Sequence, residues 1–134
     1  MFFSRKHPKP QTRIDCLIGA GTKVVGDITF TGGLRVDGEV QGNVRSIDDQ
    51  PGTLVVSEHA KIEGEVHVPH VVINGCVIGP VVSSSFLELQ PKARMTGDAS
   101  YNAIEIHLGA VIQGRLNHQD GAAKSVELKL AAKR

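Results

Sequence analysis

Residues 54–66, LVVSEHAKIEGEV, contain the pattern on which the rest of the chain is built. Two short segments, in which apolar and polar residues alternate, flank a polar turn with Ala60 at its corner. Variants of this phrase recur at residues 16–28, 87–99 and 104–116 and, two residues shorter, at 34–44 and 71–81. Each copy carries one glycine, and these are spaced 16, 22, 15, 18 and 17 residues apart: Gly26, Gly42, Gly64, Gly79, Gly97 and Gly114. Self-similarity at a short, slightly variable period predicts a solenoid.

Apolar residues stand two positions before and two positions after each of these glycines. Those before are Val24, Val40, Ile62, Val77, Met95 and Ile112, and those after are Ile28, Val44, Val66, Val81, Ala99 and Leu116. The positions between are mostly polar, and such alternation indicates strands with one face buried and one in solvent. A glycine in this frame fits a tight bend or a close approach of two backbones. We therefore predict an all-β fold, a parallel β-helix of six rungs.

Composition agrees with a narrow β-helix interior. The 134 residues suit one domain, and with no Trp, one Tyr and four Phe the core must be built from Val, Ile, Leu and Ala. The formal net charge is only +1, so we expect no global field that recruits nucleic acid. No stretch approaches the apolar length that spans a bilayer.

The two cysteines fall in different columns of the pattern. Cys16 aligns with the inward residues Leu54 and Leu87, which predicts core packing, whereas Cys76 falls on the outward side as an exposed thiol. Opposite faces and distant rungs argue against a disulfide, and two thiols without a disulfide framework indicate a reducing compartment.

The repeats divide the chain into a core at residues 14–116 and two tails, 1–13 and 117–134, which we predict to be flexible. Residues 1–11 lack the repeat and contain two prolines, which argues against helix or strand. Residues 47–53, IDDQPGT, account for the longest glycine spacing and have turn chemistry, which predicts a protruding loop. In the C-terminal tail Val126, Leu128 and Leu130 alternate, and this segment is either disordered or lies against an end of the solenoid.

The sequence offers no convincing site for catalysis, a cofactor or a metal. Residues 21–27, GTKVVGD, lack the Gly-Lys-Ser/Thr ending of a phosphate loop, and no helix is predicted after them. His67 and His70 are expected on opposite faces of a strand, a poor geometry for one ion. His59 and His107 are predicted to be solvated corner residues. We therefore predict a protein that is not an enzyme and that holds no cofactor.

The two ends of the predicted solenoid are the parts of it that we expect to bind another subunit. A solenoid needs caps, because an uncapped end exposes apolar side chains and strand edges, and no amphipathic helix is predicted at either end. Stacking one subunit on another would cover both ends and would propagate into a filament. The predicted polymerisation interface comprises Ile14, Ile18, Val24 and Ile28 at one end and Ile104, Ile106, Ile112 and Leu116 at the other.

An ordered series of motifs gives the chain a specific resemblance. Residues 36–44 read VDGEVQGNV, residues 61–66 KIEGEV, residues 72–79 VINGCVIG, and the chain opens with MFFSRK. This series resembles the bactofilins, which are bacterial cytoskeletal proteins. The resemblance implies a right-handed, triangular β-helix that polymerises without nucleotide into non-polar filaments, often on the inner face of the cytoplasmic membrane. It also implies a scaffold for cell-wall enzymes, cell shape, polarity or appendages.

The N-terminus is a candidate membrane anchor. Phe2 and Phe3 can enter a lipid interface, and Arg5, Lys6 and Lys9 can face anionic headgroups. Judged from these residues alone, a tail without a role is equally compatible. The resemblance implies a membrane-targeting tip formed by Met1, Phe2, Phe3, Ser4, Arg5 and Lys6, with Lys9 adding one further positive charge.

Two other classes remain open at this stage. Ile18, Val24, Phe30 and Val36 are six residues apart, as in a left-handed β-helix acyltransferase, but this spacing is lost after Val36. Outward charges such as Lys23, Glu39 and Lys61 could instead form the ligand face of a monomeric solenoid. Electron microscopy of the purified protein separates filaments from the discrete trimers or monomers that these alternatives predict.

Overall fold

The computed structural model describes residues 13–47 and 51–119. Within these ranges the regular structure consists of strands, which follow one another around six rungs. The first three rungs contain β1 (Cys16–Ile18), β2 (Lys23–Val25) and β3 (Ile28–Phe30); β4 (Gly32–Val36), β5 (Glu39–Gln41) and β6 (Val44–Ser46); and β7 (Gly52–Val56), β8 (Lys61–Glu63) and β9 (Val66–His67). The remaining strands are β10 (His70–Ile73), β11 (Cys76–Ile78), β12 (Val81–Leu89), β13 (Arg94–Thr96), β14 (Ala99–Ile106), β15 (Val111–Gln113) and β16 (Leu116–His118).

The strands stack into three parallel ladders, which we call faces 1, 2 and 3. Face 1 runs β1-β4-β7-β10-β12-β14, face 2 runs β2-β5-β8-β11-β13-β15, and face 3 runs β3-β6-β9-β12-β14-β16. The long strands β12 and β14 belong to two faces, because each begins on face 3 of one rung and ends on face 1 of the next. The predicted all-β parallel solenoid of about six turns is confirmed.

The columns predicted from the sequence are the columns of the ladders. On face 2, Val24 pairs with Val40, and the register continues through Ile62, Val77, Met95 and Ile112. On face 3, the column from Ile28 to Leu116 is continuous in the same way. The inward residues of the interior rungs have almost no exposed surface, and they form the hydrophobic core.

The glycine column marks the closest approach of consecutive rungs. Gly64 has a φ of 155°, and a Cβ added to it would lie 2.1 Å from the carbonyl oxygen of Gly42 in the rung before it. The same contact recurs at the later glycines of the column. Gly26 in rung 1 has a φ of 130°, but nothing lies within 4 Å of its added Cβ. A side chain is therefore excluded sterically wherever a preceding rung exists.

A second ladder, of polar side chains, follows the glycines and joins consecutive rungs. A carboxylate oxygen of Asp27 accepts a hydrogen bond from the Asn43 amide at 2.9 Å, and the Asn43 side-chain oxygen accepts one from the Glu65 amide at 2.9 Å. Asp98 accepts from the Arg115 amide in the same way, at 3.0 Å. These residues are outward, as the alternation predicts, and they also bind one rung to the next.

Several predictions need correction. Cys16 is exposed rather than packed in the core, because its inward column has no rung beneath it in the described residues. Cys76 lies on the outward side of face 2 as predicted, and both thiols are free. Gly52 and Thr53 were assigned to the protruding loop but are buried in β7, where they pair with β4. Residues 48–50, and most of both predicted tails (1–12 and 120–134), lie outside the described residues.

Candidate self-assembly interface

The N-terminal end of the solenoid is formed by β1, β2 and β3. Each of these strands pairs on one side only, with β4, β5 and β6, among the strands that the structure describes. Ile14 is 42% exposed there, and Val24 and Ile28 are half-buried. Ile18 is only 8% exposed, so it contributes less free surface than its place in the predicted interface suggested.

The C-terminal end is formed by the second half of β14, by β15 and by β16. These strands also pair on one side only in the described part of the chain. Ile106 is 47% exposed and Leu116 is 43% exposed, whereas Ile104 and Ile112 are half-buried against the core. The structure thus brings the four predicted residues of this end onto one rung.

The exposure of these residues results from the missing neighbour and not from their position in the rung. Leu89, Ile73 and Val56 occupy the same column as Ile106, and all three are 0% exposed. Ala99, Val81 and Val66 stand in the same relation to Leu116, also at 0%. Burying a half-exposed isoleucine is worth roughly 1–1.5 kcal/mol. A further rung stacked on either end would therefore gain the packing that every interior rung already has.

The strand edges at both ends also lack the neighbouring strand with which interior rungs form backbone hydrogen bonds. Between interior rungs, the Gly42 amide donates to the Glu63 carbonyl and the Val44 amide to the Glu65 carbonyl, both at 2.9 Å. The outer edge of a terminal rung has no neighbouring strand among those described, and such an edge is a template for pairing with another chain. Apolar burial and backbone pairing thus favour the same contact.

Other apolar residues of the terminal rungs are exposed and were not in the predicted interface. Leu17, Val25, Leu108 and Val111 are 58%, 74%, 95% and 41% exposed, respectively. The first, second and fourth point outward, and sequence reasoning assigned outward positions to solvent. For Val111 a signal was present, since its column continues through Arg94, Cys76 and Lys61, so an aliphatic residue at its end departs from the column.

A cluster of titratable side chains lies close to the C-terminal end. His107 Nε2 is 3.3 Å from a carboxylate oxygen of Glu88 and 3.3 Å from one of Glu105. The ligand atoms of these three residues lie within 4.8 Å of one another, and a His with two carboxylates is a donor set that a divalent cation can use. His107 lies at a rung corner as predicted, but its side chain is partly buried and paired, whereas His59 is exposed as predicted.

The membrane-targeting tip predicted at Met1–Lys6, with Lys9, lies outside the described residues. Among the residues that the structure describes, no helix is long and apolar enough to cross a membrane.

The fold and its ends define a class of protein: a parallel β-solenoid with two uncovered terminal rungs. The chain matches the family described as "Bactofilin: Polymer-forming cytoskeletal" over residues 16–117, which is more than half of its length. It therefore belongs to the bactofilin family, as its motifs predicted, and is a cytoskeletal protein of that family.

One curated relative is Bactofilin BacP of Myxococcus xanthus (strain DK1622), which is 27% identical over 104 residues. The match covers 78% of this chain and 42% of the relative, so the chain spans less than half of that protein's length. No solved structure matches the chain.

Proposed function

We propose that this bactofilin assembles end to end, through its two terminal rungs, into filaments that form without nucleotide or metal. The observation that carries the proposal is the burial of the inward columns, which is complete in the interior rungs and reduced at both ends, where Ile14, Ile106 and Leu116 are more than 40% exposed. The two ends are separate surfaces on one subunit, so contacts made at both of them continue from subunit to subunit. The product is a filament and not a closed dimer.

We further propose that the filament lies on the inner face of the cytoplasmic membrane and is held there by the N-terminal tip. Two partly buried Phe rings would contribute on the order of 1–2 kcal/mol each. Each nearby cation would add about 1 kcal/mol on an anionic surface. A single tip then binds weakly and reversibly, but a filament presents many tips to one surface, so membrane attachment is coupled to assembly.

The role of such a filament is to scaffold other proteins, of cell shape or of cell-wall synthesis and remodelling. This step rests on the family alone. The solenoid supplies a suitable surface, because each outward column repeats one position every rung and can present the same contact many times along a filament. The acyltransferase alternative is not favoured by the family match.

The proposal is tested by Ile106→Arg, which places a charge on an inward column at the exposed end. The side chain is half-exposed in the subunit, so the subunit should fold, whereas assembly would bury the charge at a cost of several kcal/mol. We expect soluble, folded, short species in high-speed sedimentation and electron microscopy.

The matched control is Ile78→Arg. Ile78 is 39% exposed, similar to Ile106, but it points outward from the middle of face 2. We expect this variant to form filaments like the wild type. Long filaments of the Ile106→Arg protein would refute assembly through the terminal rungs.

A further inference from the structure

A segment of the C-terminal tail repeats the sequence of face 1. Residues 125–132, which lie outside the described residues, read SVELKLAA. Residues 103–110 of rung 6 read AIEIHLGA, and residues 86–93 of rung 5 read FLELQPKA. All three have apolar residues at the second and fourth positions, a glutamate between them and an alanine at the eighth. The segment therefore has the pattern of a face 1 strand and of the corner that follows it.

The shared apolar positions belong to the core in the described rungs. In rung 5 they are 0% exposed, and they comprise Leu87, Leu89 and Ala93. In the tail the corresponding residues are Val126, Leu128 and Ala132. Two positions further on, where the inward column of face 2 ends at Ile112, the tail has Arg134. A charged residue there ends the apolar pattern, so the segment can add one face to the stack but not a complete rung.

The polar positions match as well. His107 is 3.3 Å from a carboxylate oxygen of Glu105 in its own rung and 3.3 Å from one of Glu88 in the rung before. One rung further, Lys129 would stand in the same relation to Glu127 and Glu105. A lysine at this position would offset the like charges that meet in the glutamate column.

The connection that leads to the segment has the length of one already present in the fold. Six residues, 47–52, separate Ser46 at the end of face 3 from Thr53 on face 1 of the next rung. His118 lies in the column of Ser46, and six residues also separate it from Ser125. The tail can therefore place Ser125 over Ala103, which lies in the column of Thr53.

The surface that the segment fits is uncovered among the described residues. Ile106 is 47% exposed, and the outer edge of the second half of β14 pairs with no described strand. We propose that residues 125–132 form a partial seventh rung, which docks on face 1 of rung 6 in the same subunit and blocks the C-terminal end against another subunit. This inference rests on the proposed end-to-end assembly. A subunit with its segment docked can still join through its N-terminal end, but it offers no site for the next subunit.

Docking and assembly compete for the same strand edge and the same apolar residues. The short connection holds the segment at an effective concentration on the order of millimolar. The segment covers one face of three, however, whereas another subunit covers all of them, so assembly should displace it once the subunit concentration is high enough. A segment that is docked half of the time raises the critical concentration for assembly about twofold.

Leu128→Arg in the full chain tests the blocking role. Its charge would face the core beside Ile106, so the segment should be released, and we expect the critical concentration in sedimentation to fall by about twofold or more. Leu130→Arg is the matched control. It adds the same charge two residues away, at the corner position of Leu108, which is 95% exposed, and it should assemble as the wild type does.

A disulfide tests the docking itself, in a chain whose two native cysteines are replaced by serine. Glu105→Cys and Glu127→Cys would lie in one column on neighbouring strands, about 4.8 Å apart, which a disulfide can bridge. Glu105→Cys with Lys129→Cys is the control, because it is out of register by two residues, at about 8 Å. We expect the first pair to cross-link within one subunit and the second much less. The cross-linked protein should form only short species until it is reduced.

Equal cross-linking of the two pairs, or cross-links between subunits only, would overturn docking in register. Equal critical concentrations for Leu128→Arg and Leu130→Arg, or long filaments of the cross-linked protein, would overturn the blocking role and leave the proposed function standing. Failure of the proposed function would look different, because neither the wild type nor Leu128→Arg would form filaments. That result would also overturn the blocking role, whereas the cross-link would still decide whether the segment docks.

Discussion

Replacing Gly64 with alanine should separate rung 3 from rung 2 in the middle of the solenoid. The new Cβ would lie 2.1 Å from the Gly42 carbonyl oxygen, which is backbone and has no rotamer to change. An ordinary contact needs about 3.5 Å, so the rungs must move apart by about 1.4 Å, a large part of their roughly 4.8 Å spacing. The hydrogen bonds on either side of the contact, from Gly42 to Glu63 and from Val44 to Glu65, would weaken or break.

The expected cost has two parts. A non-glycine residue held in this backbone conformation costs about 1–3 kcal/mol. Two lost hydrogen bonds cost about 0.5–1.5 kcal/mol each. The sum is about 2–6 kcal/mol, which is a large fraction of the 5–15 kcal/mol that typically separates a folded domain from its unfolded state. Gly26→Ala is the control, because its φ of 130° also lies in the range that other residues rarely adopt, but its Cβ would meet nothing within 4 Å.

Denaturant unfolding followed by circular dichroism measures both variants, in the Ile106→Arg background so that assembly does not add to stability. We expect Gly64→Ala to lose at least 1 kcal/mol more than Gly26→Ala, from the hydrogen bonds alone. Equal losses would mean that backbone strain, and not close stacking, explains the glycine column.

Burial lowers the pKa of His70, whose ring nitrogens are shielded from solvent and have no hydrogen-bond partner. As the pH falls, the unfolded state therefore binds a proton on this histidine before the folded state does, and the free energy of unfolding should decrease below about pH 6.5. His70→Leu should reduce this loss, as unfolding at pH 7.5 and about pH 5.5 will show; an unchanged pH dependence would contradict it. Phe2→Ala with Phe3→Ala should release intact filaments from anionic liposomes in co-sedimentation, and full retention would eliminate the anchor. Assembly should proceed with a chelator and a phosphatase present. An absolute need for nucleotide or metal would overturn the proposed assembly without either.

The repeat was predictable because its signals are local. The sequence of each rung contains both the alternation and the glycine. Aligning six short segments therefore places Val40, Ile62 and Val77 in one column without knowledge of the fold. In a solenoid this alignment is also the three-dimensional register, since each rung contacts only its neighbours. Few folds connect sequence and contact so directly.

The errors arose where position along the stack mattered. Cys16 has the sequence environment of a core residue but belongs to a terminal rung, and periodicity alone does not say how many rungs cover a given position. The contact of His107 with Glu88 and Glu105 was missed because it joins outward positions at face 1, and the sequence interpretation compared only an outward column of face 2 from rung to rung. Reading the outward columns in the same way would have found it.

The repeat of this solenoid does not by itself limit the number of rungs that can stack. Each interior rung is buried by neighbours of nearly the same shape, and the last described rung presents to solvent the same columns and strand edges that the rung before it presents to its neighbour. A protein that remains monomeric needs a segment that differs from the repeat and covers the edge. Among the described residues, none covers either terminal rung. The interactions that hold one rung on the next are thus also available between subunits, so the stability of the subunit and its tendency to assemble have a common origin. Substitutions that weaken rung stacking everywhere should reduce both, whereas those confined to a terminal rung should separate them.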